Sequence, residues 1–173
     1  MNENPGRVVS PFDNPVQFGF GIDATVDAHL QRAAQLVGNR DDSLAALKDA
    51  YRTAPDQVET LIAMFKLLFY QGRTAEAESL VEEALTKASR QGGFAADWRC
   101  LDHTTTDWDD LRGAGRLYLY TLKALAFIRL RRDEVEQARA ILQAMRRIDQ
   151  EDRVGADVLR DLAEAVEEER EDG

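Results

Sequence analysis

Cys100, Asp102 and His103, followed by Asp107, Asp109 and Asp110, form the sequence's one cluster of nucleophilic or metal-type side chains. A cysteine three positions before a histidine could set a thiolate beside a base, or give two ligands to a zinc ion. Neither chemistry is completed nearby. A zinc site needs a second ligand pair, and none follows. A cysteine nucleophile needs an orienting third group, and neither a strained elbow nor a glycine-rich anion loop flanks Cys100. The phosphate-loop and dinucleotide fingerprints are missing too. His29 stands alone on its helix. These residues assign no catalytic group, no metal and no cofactor; the chain reads as a binding protein rather than an enzyme, with a metal- or cysteine-dependent activity at the 98–110 loop as the alternative.

The cluster lies in Gln91–Gly115, a stretch rich in turn formers that also carries Phe94, Trp98, Leu101 and Trp108. A long irregular segment in a compact domain is functional or has structure of its own. It reads as a packed loop with short helical turns near Ala95–Arg99 and Asp107–Leu111. Trp98 and Trp108 are its anchors, either packing the loop down or meeting a partner.

The elements that must carry this loop are helical hairpins. In Thr60–Arg90, Leu61, Met64, Phe65, Leu68 and Phe69 share one helical face. Gly72 ends that helix and Thr74 is expected to cap the next, whose stripe is Ala77, Leu80, Val81, Ala84 and Leu85. Upstream, Asp23–Val37 reads as a helix, Asn39–Ser43 as a turn, and Leu44, Leu47, Ala50 and Tyr51 as the packing side of a second helix. Downstream, Tyr118, Leu122, Leu125 and Ala126 open a long helix. A turn at Arg131-Arg132-Asp133 leads to its partner, with Val135, Ala138, Ile141, Leu142 and Met145 inward. A last helix over residues 155–170 places Val158, Leu159, Leu162 and Val166 on one side, as a terminal cap with a polar outer face would.

Gly38 precedes Gly72 by 34 residues (72 − 38), the period of the tetratricopeptide repeat. Ser43, Leu47 and Ala50 then match Ala77, Val81 and Ala84, and Pro55 closes the first unit as the family's prolines do. The chain thus resembles the tetratricopeptide family. The resemblance implies an all-α, right-handed solenoid of helical hairpins with about three repeats (24–55, 56–90 and 116–150), the insertion 91–115 and the capping helix. Asp133 stands 61 positions after Gly72 (133 − 72), one period plus 27 inserted residues. Arg129 falls where the family often has an apolar aromatic side chain.

The family's groove is lined by the first helix of each repeat. Carried over, that implies a partner-binding face of Arg32, Ile62, Lys66, Phe69, Tyr70, Tyr120, Lys123 and Phe127. Such a mixture suits a protein or peptide with apolar anchors and a carboxylate or two. Ala28, Ala63, Tyr120 and Ala124 occupy four positions of the family's carboxylate clamp, which argues against chaperone-tail binding. Narrower readings are a secretion-type chaperone or a pathway-specific assembly factor. Tyr118–Ile128 and Asp152–Leu159 resemble small repeat proteins encoded near nitrogen-fixation genes, though no motif carries that likeness.

A net charge of −10 over 173 residues argues against nucleic-acid binding, which needs a basic face. One cysteine excludes an internal disulfide framework. No leader pattern or long apolar run is present, so no membrane insertion and a cytoplasmic location are expected. An exposed repeat edge would permit self-association. Residues 1–22, with three prolines and Phe12, Phe18 and Phe20, read as extended chain that seals one end of the helical domain (23–173), lies in its groove or docks a partner.

Overall fold

A computed structural model describes residues 40–172. The extended segment 1–22, the helix expected at Asp23–Val37, His29 and Arg32 lie outside the described residues. Among the described residues the fold is all-helical, with six α-helices and no strand. They are α1 (Arg40–Thr53), α2 (Val58–Tyr70), α3 (Thr74–Gly92), α4 (Ala114–Arg131), α5 (Val135–Ile148) and α6 (Asp157–Glu171). A single 3-10 turn at Trp98–Cys100 interrupts the connection from α3 to α4. No described helix is long and apolar enough to cross a membrane.

Each helix packs on the next, and α4 additionally touches α2 and α6. That central position explains its composition: every residue from Thr121 to Ile128 is buried. A helix surrounded by others must be apolar nearly all round. α5 leaves Glu136, Gln137, Arg139, Ala140 and Gln143 exposed and keeps a clean inward stripe of Val135, Ala138, Ile141, Leu142 and Met145. α6 buries Leu159 and Ala163. The stripe expected for it is only partly inward, because Val158 is 61% exposed.

The two hairpin turns are the same construction. Gly72 adopts φ 75° and Asp133 φ 64°. Gly72 N–H bonds to Phe69 O and Arg73 N–H to Leu68 O; Asp133 N–H bonds to Leu130 O and Glu134 N–H to Arg129 O. Each pair recurs 61 positions on, as does the bond from Ala77 N–H to Arg73 O in that from Ala138 N–H to Glu134 O. Aspartate enters the left-handed region more readily than most side chains. The turn geometry therefore persists without glycine.

Local details differ from the periodicity reading. Thr74 is the first helical residue of α3 rather than its cap, and no side chain caps that end. Residues 40–43, expected within a turn and capped helix start, are already helical. In the insertion, the turn expected at Ala95–Arg99 sits at Trp98–Cys100, and residues 107–111 form non-helical turns. Asp107 and Asp110 instead bend the chain by accepting from the backbone N–H two positions on, at Asp109 and Arg112.

Candidate functional site: the α2–α4 face and the packed insertion

The residues expected to line one groove divide into two groups. Lys66, Phe69 and Tyr120 are half-buried and Tyr70 is 48% exposed. Phe69 lies against Phe127 with ring centroids 5.2 Å apart, joining α2 to α4, and meets Tyr70 edge-on at 6.1 Å. The Tyr120 hydroxyl is buried, with no hydrogen-bond partner among the described residues. Burial holds its phenol well above the usual tyrosine range, with Tyr70 adding to the shift. Lys66, Phe69 and Tyr70 on α2 and Tyr120 on α4 thus stay at least partly exposed.

Ile62, Lys123 and Phe127 do not belong to that face. Ile62 and Phe127 are core side chains, and Lys123 is only 4% exposed. The Lys123 ammonium donates to Val154 O at 2.7 Å, in the turn before α6. Burial lowers its pKa, and Asp152 opposes that shift. Lys123 therefore fastens α4 to the α5–α6 turn. This bond joins Tyr118–Ile128 to Asp152–Leu159, the two stretches with a shared likeness. Asp152, at φ 52°, accepts from Ala156 N–H at 2.6 Å and thereby shapes the entry to α6.

Six ion pairs that the periodicity did not reveal tie the hairpins and the insertion together. Glu78, nearly buried on α3, takes Arg129 at 2.5 Å and also Arg132. Glu134 takes Arg129 at 2.6 Å and Arg132 at 3.1 Å. Burial disfavours the Arg129 charge, yet its bond to Glu134 and the charges of Glu78 and Glu134 raise its pKa overall. The misfit of Arg129 with the family's aromatic preference was the available signal. Arg153 joins Asp109 of the insertion at 2.6 Å to buried Asp149 at 3.0 Å. The bond to Asp109 leads in raising the pKa of its guanidinium.

The insertion is built around an aromatic cluster. Trp108 is buried and donates its indole N–H to Asp102 O at 3.0 Å. Phe94 stands 5.5 Å from Trp108 and 5.2 Å from Tyr118, whose hydroxyl donates to Ala96 O at 2.6 Å. Gly115 permits the approach, since a Cβ there would meet Trp108 Cε3 at 3.1 Å. Trp98 remains half-buried, with the Arg99 guanidinium stacked 4.2 Å from its ring centroid. The two expected anchors thus differ: Trp108 packs the loop and Trp98 reaches the surface.

Cys100 and His103 are both exposed. The Asp102 carboxylate is held below its usual range first by the Thr104 hydroxyl, then by the Thr104 N–H. Its hydrogen bonds close its own turn. Among the described residues, no three His, Cys, Asp or Glu side chains are placed to share a metal ion. A polar cleft of about 280 Å³ lies between the insertion and the end of α5, walled by His103, Asp107, Trp108, Asp109, Glu151 and Arg153.

No family model matches the chain, and no solved structure matches it. The chain is similar to a protein of Azotobacter chroococcum mcd 1 described as an uncharacterized 19.8 kDa protein in the nifW 5′ region, with 28% identity over 118 residues. The match covers 67% of this chain and 66% of that protein, just under two thirds of the relative's length.

Proposed function

We propose that the chain is a non-enzymatic protein-interaction module of the tetratricopeptide type, acting in the cytoplasm. A peptide or helix of a partner protein lies along the α2–α4 face. The observation that carries this reading is the repeated turn: two hairpins share a left-handed position, Gly72 and Asp133, and the same hydrogen bonds at an offset of 61 positions, and their first helices touch. Stacked hairpins of this kind form an extended surface on their first helices. Here it presents Lys66, Phe69, Tyr70 and Tyr120, with aromatic side chains to fill a partner's apolar positions and a lysine for its carboxylates.

The test is affinity capture from the native organism's lysate, with the wild-type chain beside a Lys66→Glu, Tyr120→Ala double variant. The variant is expected to keep its helical circular dichroism and lose the partner. Equal capture by both folded proteins contradicts the reading. A second reading, a pathway-specific assembly factor, is favoured by the relative's location 5′ of nifW. The likeness of Tyr118–Ile128 and Asp152–Leu159 to proteins encoded near nitrogen-fixation genes points the same way. It keeps the same surface and narrows the partner to a protein of that pathway.

A further inference from the structure

We infer that the chain's own N-terminal stretch Pro11–Phe20 occupies the α2–α4 face when no partner is bound and is displaced when one binds. The displacement rests on the α2–α4 reading; the placement of the stretch does not. α1 and α2 pack together across the short connection 54–57. They therefore run antiparallel, and the start of α1 comes to the Tyr70 end of α2. The pKa of Arg73, just beyond α2, is raised first by its bond to Glu76 and also by the charge of Asp41, in the first turn of α1. Chain entering at Arg40 thus arrives near Phe69 and Tyr70, and Phe69 in turn meets Phe127 of α4.

The preceding sequence has the reach and the chemistry to cover this face. A helix over Asp23–Val37 would span about 22 Å, close to the roughly 20 Å of α2. The residues before it extend to about 70 Å, enough to return along α2 and across to α4. Phe12, Phe18 and Phe20 are three of the chain's seven phenylalanines, a density that a solvated tail does not carry. Asp13 adjoins the first of them. Rings beside a carboxylate are what Phe69, Tyr70, Tyr120 and Lys66 are suited to receive. Pro11 and Pro15 disfavour helix within the stretch, which suits a peptide lying extended in a groove. None of Lys66, Phe69, Tyr70 and Phe127 is without an interaction partner, so a partner protein reaches them by exchange. A tethered segment acts at an effective concentration of about a millimolar, and a modest intrinsic affinity then holds it in place.

The experiment puts a nitroxide label at Gln17→Cys in the full-length, 15N-labelled chain, with Cys100→Ser removing the native thiol. Amide line broadening is read with no partner present. The expected result is broadening at Lys66, Phe69, Tyr70 and Tyr120, with sharp signals in α6, which among the described helices packs on α4 and α5 only. Replacing Phe12, Phe18 and Phe20 together by alanine should remove the broadening. In the unlabelled full-length chain the same replacement should raise partner capture about tenfold, as when an occupied face becomes free. Sharp α2–α4 signals in the labelled chain, or broadening that the alanine variant retains, would overturn the inference. So would broadening of 15N chains by separate spin-labelled 14N chains, which would seat the stretch on a second copy. Capture that Lys66→Glu, Tyr120→Ala abolishes but the alanine variant leaves unchanged would overturn the displacement. Capture indifferent to both variants would instead overturn the α2–α4 reading, with the broadening still standing.

Discussion

Gly72 and Asp133 make the same backbone turn at different cost, and the difference is measurable. At Gly72 a Cβ would meet nothing within 4 Å, so Gly72→Ala tests the left-handed φ alone. It should destabilise the chain by about 1 kcal/mol in denaturant unfolding. Trp108→Ala empties a buried site and should cost about 3 kcal/mol by the same assay. Lys123 gives a pH signature. Its folded pKa is lowered, so between that value and about 10.5, the free-lysine value, the unfolded chain binds more protons. The burial cost is fully present below the folded pKa and is relieved as pH rises through that interval. Wild-type stability should therefore climb relative to Lys123→Met as pH is raised towards that free value. A parallel pair of stability–pH curves would contradict the placement of Lys123.

At the scale of elements, the charged knot of Glu78, Arg129, Arg132 and Glu134 joins α3 to the α4–α5 turn. Arg129→Ala leaves Glu78 with Arg132 as its remaining partner, and should cost about 2 kcal/mol. A double-mutant cycle of Arg129→Ala with Glu78→Ala should return a favourable coupling; additive effects would remove the knot from the account. Helix periodicity identified the inward stripes of α3 and α5 because each presents a distinct packing side. The groove carried over from the family resemblance included Lys123, Phe127 and Ile62, which are buried here because crowded helices bury side chains around most of their circumference. On α4, Lys123 interrupts an apolar run, and only the carbonyl of Val154, distant in sequence, shows what it is for. The Asp133 turn was legible in position and not in mechanism, since no glycine marks it. The shape of the insertion depended on backbone-to-carboxylate bonds that periodicity does not register. The different fates of Trp98 and Trp108 rest on the close approach at Gly115.

For the whole molecule, the packed hairpins place the partly exposed aromatic and cationic side chains of the α2–α4 face on an acidic chain. The most direct test of the α2–α4 reading is quantitative capture of lysate partners by three proteins of verified fold: wild type, Lys66→Glu with Tyr120→Ala, and Arg146→Glu as a control at an exposed α5 position. The account predicts a principal partner lost with the first variant and retained by Arg146→Glu. A principal partner retained by the α2–α4 variant, whether or not Arg146→Glu releases it, would contradict it.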